Sequence, residues 1–240
     1  MNICILNSGF GSRLKRYTES KPKGLVPICD METLLSRQVK ILSSLGEYEF
    51  HITTGYLDGM IQSYMVDVFP DISVAYTPNA RYATTNYITS LELLRGRCDD
   101  ELVLLHGDLV FEESVARDIL ASSRSVVVID STLPLPEKDF KARMKDGKVV
   151  EIGVDVFGSD CYACQPFYHL TKGDWNIWQE EIHSFCTQGK ESVYAENALN
   201  NVTSQMELYA FDIKGRFCME VDNEEDLLTV RRTLESCDGK

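Results

Sequence analysis

Positive charge is in deficit: 24 Lys and Arg stand against 37 Asp and Glu, a net charge of −13 over 240 residues. A protein that neutralises a nucleic-acid backbone or an anionic membrane surface carries the opposite excess, so neither is expected as a partner. A small anionic substrate stays admissible, because a local cluster such as Arg13, Lys15, Arg16, Lys21 and Lys23 can oppose the global field. No apolar run reaches the roughly 18 residues that a membrane-spanning helix requires. The start, Met1-Asn-Ile-Cys-Ile-Leu6, lacks a basic segment and meets Asn7-Ser8-Gly9 too early for a secretion signal, so a cytoplasmic location is expected. With only 15 Gly and 7 Pro, collagen-like and low-complexity chains are excluded. The 44% apolar and 25% charged fractions are those of a globular chain, long enough to build a core without disulfides or metal.

Several chemical signatures are missing too. Eight cysteines without a secretion signal read as reduced thiols. Cys161-x-x-Cys164 is a single pair, whereas structural zinc needs four ligands, and His169 and His183 follow at irregular spacing. Ordinary strand thiols are the simpler reading, with a zinc or redox module as a distant alternative. No Ser-His-Asp set stands out. The glycine-rich segment after the first apolar run is not a Walker loop, and Leu14 occupies the place of the third glycine in Gly-x-Gly-x-x-Gly.

What is present is an alternation of strands and helices. Strands are predicted at 3–6, 50–54, 72–76, 101–106 and 125–129, and helices at 33–45, 58–68, 85–94 and 114–121. Such alternation implies a mostly parallel, Rossmann-like α/β sheet with helices on both faces, and functional sites beyond the carboxyl ends of its strands. After Asp130 the pattern changes. A hairpin is predicted at 140–144 and 148–152 around Asp146-Gly147, then a strand at 161–170, a helix at 174–186, and short strands at 208–212 and 218–221. Asn223 is the predicted cap of a last helix running to about residue 234. No linker or internal repeat interrupts the chain. The expected organisation is one domain, 1–240, with a nucleotide-binding half (1–130), an acceptor-binding half (131–222) forming a small antiparallel extension, and a C-terminal helix (223–240).

The most informative segment is Leu6-Asn7-Ser8-Gly9-Phe-Gly11-Ser12-Arg13-Leu, followed by Pro22-Lys23-Gly-Leu25-Val-Pro27. Closely spaced glycines after a strand let backbone N–H groups face a phosphate, and two cations sit on a loop too polar to be core. This segment resembles the signature of the sugar-phosphate nucleotidyltransferases that act on nucleoside triphosphates. It resembles more closely that of the bacterial phosphocholine and 2-aminoethylphosphonate cytidylyltransferases. That family usually begins its loop Leu-Ala-Ala-Gly; Asn7 and Ser8 depart from this mildly. Further patches agree: Gly55-Tyr56 after the second strand, Asn79 to Leu91 with Tyr82, Thr85, Asn86 and Ser90, then Gly107-Asp108 and Glu220-Val-Asp222.

The resemblance implies an enzyme of the glycosyltransferase-A-like nucleotidyltransferase fold. It would transfer CMP from CTP to a small phosphate or phosphonate acceptor and release pyrophosphate. Lys23 and Arg13 would serve the triphosphate, with Asp108 as the third catalytic residue. Asp108 and Asp222 would hold Mg²⁺. Leu6 to Gly9, Gly11, Ser12, Gly55, Tyr56, Asn79, Thr85, Asn86 and Ser90 would form the nucleotide site. Tyr194 and Glu196 align with an aromatic and acidic pair suited to an ammonium headgroup. Trp175 and Trp178, three apart on one helical face, fit a core stripe, and Trp175 is also carried as an acceptor wall. Many relatives have Lys where Val154 stands, which weakens sugar-phosphate acceptance. A sugar-1-phosphate nucleotidyltransferase and a non-catalytic nucleotide-binding regulator are the alternatives, and a homodimer is left open.

Overall fold

The computed structural model describes residues 1–29 and 32–238, with side chains to residue 236. The elements in chain order are β1 (Asn2–Leu6), α1 (Leu34–Ser44), β2 (Glu49–Thr54), α2 (Asp58–Val68), β3 (Val74–Pro78), α3 (Ile88–Glu92), β4 (Leu102–His106), β5 (Leu109–Phe111), α4 (Glu113–Leu120), β6 (Val126–Asp130), β7 (Lys141–Lys145), β8 (Lys148–Gly153), β9 (Cys161–Leu170), α5 (Lys172–Thr187), α6 (Ala195–Val202), β10 (Tyr209–Asp212), β11 (Cys218–Glu220) and α7 (Glu224–Asp238).

Nine strands form one sheet in the order β3-β2-β1-β4-β9-β6-β10-β8-β7. β1, β2, β3 and β4 pair in parallel, as do β6 and β10. β9 runs against both β4 and β6, and β7 and β8 form an antiparallel hairpin that β7 ties to the start of β9. The sheet is therefore mixed: its reversal lies at β9 in the middle as well as at the hairpin edge. The hairpin turns on Asp146 (φ 52°) and Gly147 (φ 79°), both left-handed, as a two-residue turn matched to strand twist demands.

Continuous apolar strands arise because both faces are covered. Cys4, Leu104 and Val127 point into a core with Trp175, Trp178 and Leu199 of α5 and α6. Their sequence neighbours Ile3, Ile5, Val103 and Val128 point into a core with Val39 of α1, Ile61 of α2 and Ile119 of α4. A third cluster matters most for the site: Leu227, Val230 and Leu234 of α7 pack on Leu14, Val26 and Ile28, clamping the glycine-rich segment.

Differences from the sequence reading are local. β3 lies two residues further along than predicted and ends on Pro78, tolerated because β3 is an edge strand. α3 is one short turn rather than ten residues, leaving Thr85 and Asn86 in a loop. β5 and α6 went unread. Residues 239 and 240 of the expected terminal helix lie outside the described residues, as does the Cys237 side chain.

The other seven cysteines are free thiols. Cys161 and Cys164 are buried, and burial raises both thiols. Cys98 is pushed up to about 12 by burial, and Cys4 and Cys218 also rise. Of these seven, Cys29 and Cys186 are partly exposed, and burial pushes Cys186 up to about 11. Among these seven, brief iodoacetamide treatment near neutral pH is therefore expected to alkylate Cys29 first and to spare residues 4, 98, 161, 164 and 218, since the thiolate is the reactive form. Peptide mass spectrometry showing Cys164 labelled as fast as Cys29 would contradict this packing.

Candidate active site

β1 delivers Leu6 to a loop whose path is set by close approaches. The buried Asn7 side chain lies between two backbones: a Cβ on Gly24 would meet its Oδ1 at 2.2 Å, and one on Gly107 would meet its amide at 2.6 Å. Asn7 thus wedges together the chain before Leu25 and the chain before Asp108. Gly55 serves similarly, for a Cβ there would lie 2.5 Å from the Ser8 carbonyl oxygen. Tyr56 packs on Phe10 with ring centroids 4.3 Å apart and donates to the Glu19 carbonyl at 2.8 Å. Gly11 turns left-handed (φ 67°), and Thr18 donates to its carbonyl at 2.9 Å. Leu6, Asn7, Gly55 and Tyr56 therefore shape the loop from behind. Gly11 and Ser12 lie on it, with Ser12 exposed.

Ser8 and Gly9 line a cavity of about 450 Å³ together with Asn79, Thr85, Asn86 and Ser90. Its polar wall is a chain of short bonds. Ser8 Oγ lies 2.7 Å from Ser90 Oγ, Asn79 Nδ2 donates to Ser90 Oγ at 3.1 Å, and Asn79 Oδ1 accepts from the Arg81 backbone at 2.9 Å. Such a wall of fixed donors and acceptors suits the edge of a flat polar ring.

A second cavity of about 350 Å³ adjoins it at Asn86 and Tyr87 and holds the charges: Arg13, Lys138, His106, Asp108, Asp139, Glu220 and Asp222. Asp108 and Asp222 meet on one ammonium. Lys23 Nζ is 2.5 Å from Asp108 Oδ2 and 3.1 Å from Asp222 Oδ1, and Arg13 Nη2 is 2.6 Å from the same Asp222 oxygen. The cause of this convergence is a short two-stranded ladder, not the edge of the main sheet: β11 pairs with β5, and the Val221 N–H donates to the Asp108 carbonyl at 3.0 Å. Asp222 then stands before the cap of α7. Asn223 Oδ1 accepts from the N–H groups of Glu225 and Asp226, while Asp226 Oδ2 accepts from those of Asp222 and Asn223.

Electrostatics favour the charged forms of Lys23 and Asp108. Burial disfavours a charged Lys23, but Asp108 and Asp222 outweigh it and raise its pKa. Burial likewise disfavours the Asp108 carboxylate, and Lys23 and His106 outweigh it, lowering its pKa. His106, the last residue of the apolar strand β4, faces the cavity with Nδ1 3.0 Å from Glu220 Oε1. Burial opposes its charge, yet the bond to Glu220 raises its pKa. One atom each of His106, Asp108 and Glu220 lie within 4.8 Å of one another, and Asp108 Oδ1 is buried without a hydrogen-bond partner. An orphaned carboxylate oxygen among other hard donors fits a divalent cation.

A third cavity, of about 300 Å³, shares Phe140, Val154 and Tyr194 with the second. Tyr194 caps α6 and meets Phe140 edge-on at 5.2 Å. Glu196, 1% exposed, accepts from Tyr168 Oη at 2.8 Å and from Tyr87 Oη. Burial and the nearby Glu196 push both phenols up, so both stay protonated donors. Trp175 does not reach these walls. It is fully buried, and its indole N–H donates to the Cys98 carbonyl at 2.8 Å. Its helical spacing with Trp178 is a core stripe, and no acceptor role is retained for it.

No protein-family model matches the chain. Among curated proteins it is 25% identical to the CTP:phosphoglutamine cytidylyltransferase of Campylobacter jejuni, over 95% of this chain and 98% of that one. It is 24% identical to the choline-phosphate cytidylyltransferase of Streptococcus pneumoniae, over 98% and 99%. Among solved structures, the CTP:phosphocholine cytidylyltransferase of Streptococcus pneumoniae superimposes with a TM-score of 0.79 at 20% identity, covering 97% of this chain and 98% of that one. The inositol-1-phosphate CTP transferase of T. maritima gives 0.76 at 19%, over 98% and 96%. The fold is that of these nucleotidyltransferases, and the resemblance to cytidylyltransferases read from the motifs is borne out.

Proposed function

We propose that the chain transfers CMP from CTP to a small phosphate or phosphonate acceptor that also carries an ammonium group, releasing pyrophosphate. One observation carries the reading: Lys23, Arg13, Asp108 and Asp222 form a single ionic cluster between a cavity walled by neutral hydrogen-bonding groups and an aromatic cavity floored by Glu196. That order matches a base, a reacting centre and an acceptor headgroup. The acceptor oxygen forms a bond to the α-phosphorus while the bond to the pyrophosphate oxygen breaks. No base is needed, because a phosphate with a second pKa of about 6 is already a dianion near neutrality.

The protein's task is alignment and charge. Ser8, Ser90 and Asn79 orient the base. Lys23, a compact charge, faces the α-phosphate, and the planar fork of Arg13 faces the leaving pyrophosphate. Asp108 and Asp222, with Glu220 and His106 beside Asp108, would hold Mg²⁺. When bound there, the ion supplies neutralising charge between two anions that otherwise repel. Glu196 holds the ammonium, helped by the faces of Tyr87 and Tyr194.

The test is pyrophosphate release in a matrix of four nucleoside triphosphates against phosphocholine, 2-aminoethylphosphonate and several sugar 1-phosphates. Turnover is expected with CTP and a zwitterionic acceptor, and EDTA is expected to stop it. Equal or better turnover with UTP or dTTP and a sugar phosphate would overturn the assignment. Glu196→Gln is expected to raise KM for the cationic acceptor about tenfold or more, since a desolvated ion pair contributes upwards of about 1.4 kcal/mol, while KM for CTP stays within about twofold. A matched rise in both constants would place Glu196 outside the acceptor site.

A further inference from the structure

Asp108 occupies a two-residue turn, Gly107-Asp108, between β4 and β5, and the backbone there is held from several sides. The Gly107 N–H donates to the Leu6 carbonyl at 3.0 Å, and the Asp108 carbonyl accepts from the Val221 N–H. The carbonyls on either side of the turn, those of His106 and Leu109, are held by a side chain instead. Gln38 Nε2 donates to the first at 2.9 Å and to the second at 2.8 Å. A side-chain amide nitrogen carries two hydrogens, so both are spent on this turn. The partners also fix which way the amide points: with its ends exchanged, an oxygen would face two carbonyl oxygens.

Gln38 stands where packing alone would put an apolar residue. On α1 it lies three residues after Leu35 and four before Leu42, the spacing of one helical face, and both leucines are fully buried in the core. Gln38 is itself 1% exposed, and its Oε1 is buried without a hydrogen-bond partner. An unpaired buried acceptor costs stability, and here it belongs to an amide whose two donors both serve the turn that carries Asp108. Gln38 lines none of the three cavities, so it acts through Asp108 and not on a ligand. Its bond to the Leu109 carbonyl extends the hold to the second carboxylate, because Leu109 pairs with Glu220 in the β5–β11 ladder that leads to Asp222.

We propose that Gln38 is a positioning residue for the reacting centre: by bonding the carbonyls on both shoulders of Gly107-Asp108, its side-chain amide fixes the turn from which the Asp108 carboxylate meets the cation. This rests on the cytidylyl-transfer reading, in which Asp108 would hold Mg²⁺. Without the amide both shoulders of the turn are released, and the buried carbonyls of His106 and Leu109 lose a donor. A displacement of about 1 Å at a reacting centre costs about a hundredfold in rate. Groups that orient a metal-holding carboxylate act in the same way on the affinity for the metal.

The experiment compares the parent with Gln38→Met, which keeps the length of the side chain and removes both donors. Ser125→Ala is the control for a buried hydrogen bond lost elsewhere. Ser125 is fully buried and bonds Asp174 and Thr171 at the sheet edge opposite Asp108, since Thr171 follows Leu170, which pairs with Leu102 at the start of β4. Calorimetry measures Mg²⁺ binding in the presence of a non-hydrolysable CTP analogue, and binding of that analogue in EDTA. Pyrophosphate release gives kcat across a range of Mg²⁺ with an acceptor that the parent turns over. Gln38→Met is expected to weaken Mg²⁺ binding about 10–100-fold and to lower kcat by a similar factor at limiting Mg²⁺, while analogue binding in EDTA changes by less than about twofold. Raising Mg²⁺ should recover part of the lost kcat. Ser125→Ala is expected to bind Mg²⁺ as the parent does. Parental Mg²⁺ binding in a folded Gln38→Met, or an equal loss in Ser125→Ala, overturns the proposal while leaving cytidylyl transfer intact. Should Gln38→Met not fold, nitrogen-15 NMR of the parent decides: the Gln38 side-chain amide signals should shift when Mg²⁺ joins the analogue complex, and signals that stay in place overturn the proposal. Absence of pyrophosphate release from the parent with every acceptor, although the CTP analogue binds, removes the underlying reading and the positioning role with it.

Discussion

Lys23→Ala is expected to reduce kcat by about 10²–10³ or more, the scale for removing one preorganised donor from a reacting phosphoryl centre, and also to destabilise the metal-free protein. The second effect follows from the packing. As a loop lysine, Lys23 would have little to lose; in the structure its side chain is 15% exposed and touches two carboxylates. Without the ammonium, Asp108 and Asp222 face each other across the gap with only Arg13, which reaches Asp222, and the His106 ring beside Asp108 to offset them. Charged hydrogen bonds in partly buried positions contribute about 1.5–3 kcal/mol. For a chain of this size each kcal/mol moves Tm by about 2–4 °C, so a fall of roughly 5 °C in EDTA is expected. A divalent cation replaces the lost charge, so Mg²⁺ should restore more stability to the variant than it adds to the parent. Calorimetric melts of both proteins in EDTA and in Mg²⁺ check this. Equal melting temperatures in EDTA would show that the ion pairs contribute nothing.

Lys23 also illustrates what sequence carries and what it does not. Asp108 and Asp222 were singled out by the resemblance of two short motifs to a known family, whereas the glycine-rich segment was legible because it is local: a strand end, a turn and charged residues within a few positions. The β/α alternation was legible for the same reason, since apolar runs covered on both faces leave a strong mark, as in Ile3 to Leu6 and Val126 to Ile129. The agent of convergence was not. β11 was read as a short strand at 218–221, but β5 was not, and nothing in either three-residue strand announces the pairing that brings Asp108 to Asp222. The polar role of His106 was hidden because it ends an apolar strand, and only its partner Glu220, far along the chain, turns it into a cavity residue. Glu196 was found through an aligned motif, but its burial beneath the Tyr87 and Tyr168 hydroxyls is a property of three dimensions. Trp175 was misread in the opposite direction, because an aromatic near a supposed acceptor segment is indistinguishable in sequence from one sealed beneath it.

Asp108→Asn and Asp222→Asn test the ionic cluster as a unit, and activity and stability should respond with opposite kinds of non-additivity. For turnover, each single change is expected to cost about 10³-fold, and the double change little more, because groups acting on one centre are lost together. For stability, each single variant leaves Lys23 one carboxylate: Asp222 when Asp108 is changed, Asp108 when Asp222 is changed. Either loss is therefore small. Arg13, with a side chain 68% exposed, is solvated once Asp222 is gone and adds little to the cost. Asp108→Asn also gives the orphaned Oδ1 position an uncharged group, which relieves part of the burial penalty on that side. The double variant differs in kind. Lys23 then keeps its ammonium in a largely buried position with no counter-ion, a situation that costs about 3–5 kcal/mol when burial is complete and less here. The double variant should consequently melt well below the sum of the two single shifts, while its kcat lies close to that of the worse single variant. Calorimetric titration with Mg²⁺ in the presence of CTP should show metal binding weakened in each single variant and lost in the double. Two results would sink the shared-centre argument: turnover losses that multiply across the cycle, or a double variant as stable as the sum of the single changes allows.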